Sequence, residues 1–309
     1  MGNCNPSSLK YVQIGVYEFS TTQVIGKGPH GTVYKGYTML DKRVPLAIKC
    51  LDKPFTQSQF NAIKPFLNKL RAFDGSNVAK LVDYYYDESS SKLYMISEYC
   101  AYGNLNDLIL GMLKSDPIED LRVAVGYCQQ IINGLLALHD GDLVHGKLTA
   151  KNVLFHSATL KINDYGLETI TQSTGRSPQK PGMFVAPELT DESAPEPTQK
   201  SDIWSLGLIM YILIYKSNPL KIIGQEYIIY NIQKGKCAKL DDLVSRCLVR
   251  DPNERISSEE LKEHPFLNMS PQSISSLERK WSNVGENTGS NSQAATKMFH
   301  EMEINFNFA

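Results

Sequence analysis

The hydrophobic period of this chain changes once, near residue 100, and that switch limits the architectures open to it more than any other feature. Before it, short β-rich runs at residues 24–25, 32–37 and 44–51 are separated by glycines or charged turns. One helical pattern interrupts them at 58–73, with apolar residues at Ala62, Ile63, Phe66, Leu67 and Leu70. Two further strands are predicted near 78–86 and 93–99. Beyond the switch the pattern is helical. Residues 121–139 form an amphipathic stretch, 202–215 are almost wholly apolar and read as a buried helix, and 240–248 predict a shorter one. A β-rich part followed by a helical part predicts an α+β fold in two lobes. At 309 residues the chain has the length for one such unit. From about Asn268 the composition turns to Ser and Asn, which predicts a tail that is disordered or ordered only by docking. Its end carries Met298, Phe299, Met302, Ile304, Phe306 and Phe308, an apolar set suited to packing on the domain or on a partner.

Charge and cysteine usage exclude other classes. The formal net charge is -1, so no global field favours nucleic acid or an acidic membrane surface. Cys4, Cys50, Cys100, Cys128, Cys237 and Cys247 are scattered, without CxxC or paired Cys/His spacing. That usage predicts reduced thiols in a reducing, cytoplasmic compartment, not a disulfide framework or a zinc site. The longest apolar stretch, 203–215, is too short to span a bilayer and contains Ser205 and Gly207. The first residues are polar, and no secretory signal is read there. Met1-Gly2-Asn3-Cys4 is a partial acylation signal, with myristoylation at Gly2 and palmitoylation at Cys4. Pro6 stands where that motif wants Ser or Thr, and a free polar terminus is the alternative. Membrane association is expected only if the terminus is acylated.

The motifs carry more. Gly26-Lys27-Gly28-Pro29-His30-Gly31-Thr32-Val33 lies between two predicted strands. Glycines let a backbone approach phosphates closely, although a plain glycine-rich hairpin fits the same pattern. No helix follows, so the dinucleotide fingerprint is excluded. Ala47-Ile48-Lys49 ends the next strand. His145-Gly146-Lys147-Leu148-Thr149-Ala150-Lys151-Asn152, Asp164-Tyr165-Gly166 and Ala186-Pro187-Glu188 follow, then Asp202-Ile203-Trp204-Ser205-Leu206-Gly207 and Asp251-Pro252-Asn253-Glu254-Arg255. In that order and spacing these segments resemble the protein kinase superfamily over residues 17–267. Tyr17-Glu18-Phe19, Ala47-Ile48-Lys49-Cys50 and Ser97-Glu98-Tyr99-Cys100 look most like the autophagy-initiating Ser/Thr kinases. The resemblance implies a bilobal kinase-like fold: a polar N-terminal segment 1–16, a β-rich N-lobe at about 17–100, a helical C-lobe at about 101–267, and the tail 268–309.

It also implies a nucleotide site made of Ile25, Gly26, Gly28, Gly31, Val33, Ala47, Lys49, Ser97, Glu98, Cys100 and Leu154. Val33, Ala47 and Leu154 would sandwich an adenine, and core packing explains them equally well. Residues 98–100 match the hinge whose backbone bonds the base, with Ser97 as the small residue before a back pocket. Lys49 would reach the phosphates. Asn152 and Asp164 match the two magnesium-holding positions, and local hydrogen bonding is the plainer reason for both. ATP is the implied cofactor, with Mg2+ as its companion.

The departures from the family pattern fall on chemistry. Lys147 stands where the catalytic loop normally has the aspartate that takes the substrate hydroxyl's proton. A protonated lysine only donates, and general-base help is worth about 10²–10⁴-fold in rate. Thr149 replaces the lysine that contacts the transferring phosphate, Gly146 replaces the loop arginine, and Pro181 replaces a threonine that bonds the loop. Phe66 stands at the glutamate position of the small-lobe helix, and 58–73 holds no acid at all. No catalytic residue is therefore assigned. The resemblance implies a pseudokinase that binds ATP and acts as a scaffold or allosteric regulator of a protein partner such as an active kinase. A slow or atypical Ser/Thr kinase using the retained site is one alternative; a scaffold whose pocket is filled by Phe66 or Tyr165 is another. His145 is expected to pack with Tyr165, Leu70 and Leu81, Asp202 to hold the catalytic-loop backbone, and Glu188 to pair with Arg255. Lys147 and Lys151 are expected as solvated charges, with neutralisation of nucleotide phosphates as a sharper role for Lys147. The sequence specifies no oligomeric state.

Overall fold

The structure is a computed structural model that describes residues 11–114, 121–173, 182–190, 194–223, 226–229, 232, 234–235 and 237–270. The expectations for Gly2, Cys4, Pro181 and the tail beyond residue 270 lie outside the described residues. The chain divides into two compact units. The first holds the described residues up to Ala101 together with 169–173; the second holds the others.

The first unit is an antiparallel sheet with one helix. Its strands are β1 (Tyr11–Ile14), β2 (Tyr17–Gly28), β3 (Gly31–Thr38), β4 (Leu46–Leu51), then, after helix α1 (Gln57–Ala72), β5 (Leu81–Asp87) and β6 (Lys92–Glu98). They lie in the order β1-β2-β3-β4-β6-β5. Alternation decides the faces. Leu46 and Ile48 of β4 join Ile14, Tyr17, Phe19, Tyr94 and Ile96 in one buried cluster, while Ala47 and Lys49 point the other way. β1 lies within the polar N-terminal segment read from sequence, and its Ile14 is 2% exposed where the strand pairs with the start of β2. A four-residue strand with one buried side chain carries too little periodicity to be read from sequence.

Helix α1 starts at a capping box in which Thr56 and Gln59 satisfy each other's backbone donors. It buries Phe60, Ile63, Leu67 and Leu70. Pro65 lies inside it and removes a helical donor, at a cost of about 3 kcal/mol relative to alanine. Burial of four large apolar side chains at roughly 1.5–3 kcal/mol each outweighs that cost.

The second unit is helical. It contains α2 (Leu105–Lys114), α3 (Leu121–Asp140), the hairpin β7 (Val153–His156) and β8 (Thr159–Ile162), and the start of α4 (Leu167–Gln172), which carries the chain into the first unit. Helix α5 (Gln199–Tyr215), the hairpin β9 (Leu220–Ile223) and β10 (Glu226–Ile229), α6 (Ala238–Cys247) and α7 (Ser258–Lys262) complete it. Fifteen consecutive residues of α5, Ser201 to Tyr215, are buried, which accounts for its lack of a polar face. Gly207 permits the close approach of α6: a Cβ there would lie 2.6 Å from Cys247 Cβ. By length and composition α3 is apolar enough to cross a membrane, but it buries ten residues in this unit and packs on α5 and β8.

Arg255 lies wholly inside the second unit. Its Nη1 and Nη2 donate to the two carboxylate oxygens of Glu188 at 2.7 and 2.9 Å, and its remaining donors reach the carbonyls of Lys200, Val249 and Arg250. Replacing Glu188 with Gln leaves that guanidinium buried without its counter-charge. Urea unfolding of E188Q is expected to show a loss of about 3–5 kcal/mol, whereas E188D should lose less than half as much.

Candidate functional site

In the first unit, sheet register collects the sequence-predicted nucleotide residues on one face. Val33 lies opposite both Gly26 and Lys49, Lys35 opposite Ala47, and Ala47 opposite Ser97. Directly paired residues share a face, and so do residues two apart on a strand. Gly26, Val33, Lys35, Ala47, Lys49 and Ser97 therefore form one continuous surface, opposite the buried cluster. Ile25 does not join this ladder: it falls at the register shift between Val24 and Gly26 and is exposed.

The three glycines of the loop differ in their reason for being glycine. Gly31 is structural, because a Cβ there would lie 2.1 Å from the carbonyl oxygen of Cys50. At Gly28 an added Cβ meets nothing within 4 Å, and at Gly26 only Val33 at 3.8 Å. Nothing in the unit itself demands glycine at 28, so the space is free for a ligand that needs close backbone approach. On the hinge, the Glu98 backbone N–H donates to the Lys80 carbonyl at 3.0 Å and its carboxylate accepts from the Lys80 N–H at 2.8 Å. These bonds fix the backbone leading into Tyr99 and Cys100. Phe66 lies on α1 and is half-buried; the acidic residue that the family places there has no substitute elsewhere on the helix.

In the second unit the catalytic-loop segment is held from below. One carboxylate oxygen of Asp202 accepts from the His145 N–H at 2.8 Å, and the other accepts from the Gly146 N–H at 2.9 Å. His145 is buried, its Nδ1 accepts from the Lys147 N–H at 3.3 Å, and burial pushes its pKa down against the pull of Asp202 and Asp164. The ring is thus a neutral packing group. Tyr165 of the Asp-Tyr-Gly segment is buried in the same unit, and Leu70 and Leu81 are buried in the first.

Asn152 donates from Nδ2 to the Lys147 carbonyl at 3.0 Å, leaving its amide oxygen as the acceptor for a cation. The Asn152 carbonyl accepts from the Asn163 N–H at 2.8 Å, which places the Asn152 backbone beside that of the residue preceding Asp164. Asp164 adopts a left-handed conformation at φ +62°, an uncommon state for a non-glycine residue, and accepts from Asn163 Nδ2 at 3.2 Å. Leu154 sits on β7, bridged to Asn104, and is half-buried. Among the described residues there is no group of three or more His, Cys, Asp or Glu placed to hold a metal. Asn152 and Asp164 are the ligands the chain would offer magnesium, which ordinarily takes one or two protein ligands and completes its shell with phosphate and water. The donor set fits that cation.

Two lysines depart from expectation. Lys147 is a paired charge that keeps partial access to water: its Nζ lies 3.4 Å from Glu168 Oε1, with the glutamate side chain 11% exposed. Lys151 is partly buried, and desolvation lowers its pKa against the opposing field of Asp107. Glu168 is the site residue that motif reading missed. The available signal was an acid two residues beyond Asp164-Tyr165-Gly166, with a glycine at 146 to admit it.

Comparison with known proteins agrees with this geometry. Human serine/threonine-protein kinase ULK3 is 27% identical over 267 residues, which cover 81% of this chain and 55% of that protein. Human serine/threonine-protein kinase ULK1 is 26% identical over 280 residues, 84% of this chain and 26% of that protein. Serine/threonine-protein kinase KIC1 of Saccharomyces cerevisiae is 29% identical over 265 residues, 81% of this chain and 24% of that protein. The chain thus spans about half the length of the first and about a quarter of the other two. The protein kinase domain model matches residues 19–267, well over half of the sequence, and with it this chain belongs to the protein kinase family.

Proposed function

We propose that this chain is a catalytically impaired protein kinase, a pseudokinase that binds ATP and acts as a scaffold or allosteric regulator of a signalling partner. The observation that carries the reading is the cation at residue 147. The family's proton acceptor is replaced by an ammonium, and that ammonium is engaged by Glu168. Neither group offers a substrate hydroxyl a free carboxylate in the catalytic loop. Phe66, Thr149 and Gly146 remove further parts of the transfer machinery. What remains suits binding: a sheet face bearing Lys49, two loop glycines with open space, and the Asn152–Asp164 pair. When bound, ATP would supply a triphosphate for the first unit's sheet face to meet, and a magnesium ion would suit the Asn152–Asp164 pair of the second unit. The chain's own work is then to orient it and to stabilise whichever conformation binds it better.

The retained Asn152 and Asp164, with relatives named as serine/threonine kinases, support a second reading as a slow Ser/Thr kinase. A reducing cytoplasmic setting, with membrane contact only through an acylated terminus, accords with the cysteine usage and is part of the proposal.

Thermal unfolding with and without ATP separates these readings from an empty scaffold. Saturating ATP is expected to raise the midpoint by about 5–10 °C for a domain of this size. Transfer to a generic peptide should stay at least ~10²-fold below an ordinary kinase. Turnover in the usual range of about 1–100 per second would sink the pseudokinase reading.

D164N tests the cation site separately. It is expected to abolish whatever part of the ATP-induced shift depends on Mg2+, and to preserve the part seen in EDTA. An unchanged Mg2+-dependent part would remove Asp164 from the metal assignment.

A further inference from the structure

Two departures in the catalytic loop meet at a single side chain. Gly146 has φ +82°, in the left-handed region. A Cβ there would lie 3.2 Å from Glu168 Cβ, 3.5 Å from Glu168 Cγ and 3.5 Å from Pro197 Cβ. The first of these is tighter than ordinary van der Waals contact, so a side chain at 146 would displace Glu168. The next residue, Lys147, places its Nζ 3.4 Å from Glu168 Oε1. The backbone that presents Lys147 is itself fixed, by Asp202 through the Gly146 N–H and by Asn152 through the Lys147 carbonyl. Glu168 lies in the first turn of α4, where an anion also favours the helix through its dipole.

We propose that Gly146, Lys147 and Glu168 form a latch that holds the first turn of α4 on the catalytic loop. The glycine makes room for the Glu168 stem, and the lysine holds its carboxylate. The lysine at 147 thus builds a contact as well as deleting a base. The inference rests on residues 145–152 being the family's catalytic loop, and not on nucleotide occupancy.

The two partners are unequal, and this gives the proposal its signature. Lys147 is a third exposed, so its ammonium can be hydrated when Glu168 is neutralised. Glu168 is nearly buried, so removing the cation leaves a carboxylate with little access to water. Lys147→Met is therefore expected to loosen α4 more than Glu168→Gln. Lys147→Asp, which restores the family's residue, sets two carboxylates together and should loosen it most.

Amide hydrogen exchange of residues 167–172 in the full chain without nucleotide reads the latch directly. Exchange in K147M is expected to be about tenfold faster than in the parent, a loss of about 1.4 kcal/mol for a partly buried pair. K147M/E168Q should be no faster than K147M, and the swapped pair K147D/E168K should return towards the parent rate. G146A, which keeps every charge, should accelerate exchange through both the strain of a side chain at φ +82° and the crowding of Glu168. Additive effects of K147M and E168Q, or K147D/E168K exchanging as fast as K147D, would overturn the latch. If K147M fails to fold, the comparison of E168Q, G146A and the swapped pair decides the same question. ATP binding is measured apart, so a chain that binds no ATP can still pass or fail this test.

Discussion

The carboxylate of Asp202 is the contact on which the second unit's site depends. It is 1% exposed, and burying a charge is costly unless donors surround it. Here the donors are the His145 and Gly146 N–H groups, with His139 Nε2 hydrogen-bonded to Oδ2 at 3.1 Å. His139 in turn bonds Ser258 Oγ at 2.7 Å, and Gln199 donates to the His139 carbonyl at 3.1 Å. One side chain of α5 thereby ties the catalytic loop to the end of α3 and the start of α7. This scaffold acts on backbone, and it holds the loop in place whatever side chains the loop presents. That independence is the physical reason a kinase domain can carry a lysine at 147 and keep its fold.

The same separation of scaffold from chemistry runs through the first unit. The buried cluster of Ile14, Tyr17, Phe19, Leu46, Ile48, Tyr94 and Ile96 fixes the sheet from one side. The opposite face is then free to vary, and it carries Lys49, Ala47, Val33 and Ser97. Gly31 belongs to the scaffold through its approach to Cys50, whereas Gly28 has no structural demand upon it. Pro65 and Phe66, adjacent on α1, weaken the helix and replace its acid while four buried side chains keep it in place. Core positions and the residues of the opposite face are thus separate, which lets the face change without loss of the core.

Much of this was legible in sequence. The helix expected at 58–73 is Gln57–Ala72, and that expected at 202–215 is the body of Gln199–Tyr215, because long apolar patterns fix element type. The order of the glycine loop, Lys49, the catalytic loop and Asp164 identified the family, because each motif reads locally. Contacts between residues distant in sequence were not legible. Lys147 reads as a solvated charge until the fold brings Glu168, twenty-one residues on, beside it. Neither residue carries a periodic signal for the other, and an acid placed just after Asp164-Tyr165-Gly166 points to no particular partner. β1 escaped for a different reason, since its pairing with β2 is set by one buried isoleucine.

That short strand matters for handling the domain. The kinase match starts at residue 19, a natural place to trim an expression fragment. Such a cut would delete Tyr11–Ile14, which pairs with Tyr17–Ser20 at the start of β2, and would remove Tyr17 and Glu18 as well. The cut would leave Phe19 and Ser20 with vacant backbone donors and acceptors, a site for intermolecular pairing. Ile14 and Tyr17 would leave the apolar cluster with the cut, opening its rim to water. Insolubility of the shortened fragment would then report a missing edge guard, not an unstable kinase core.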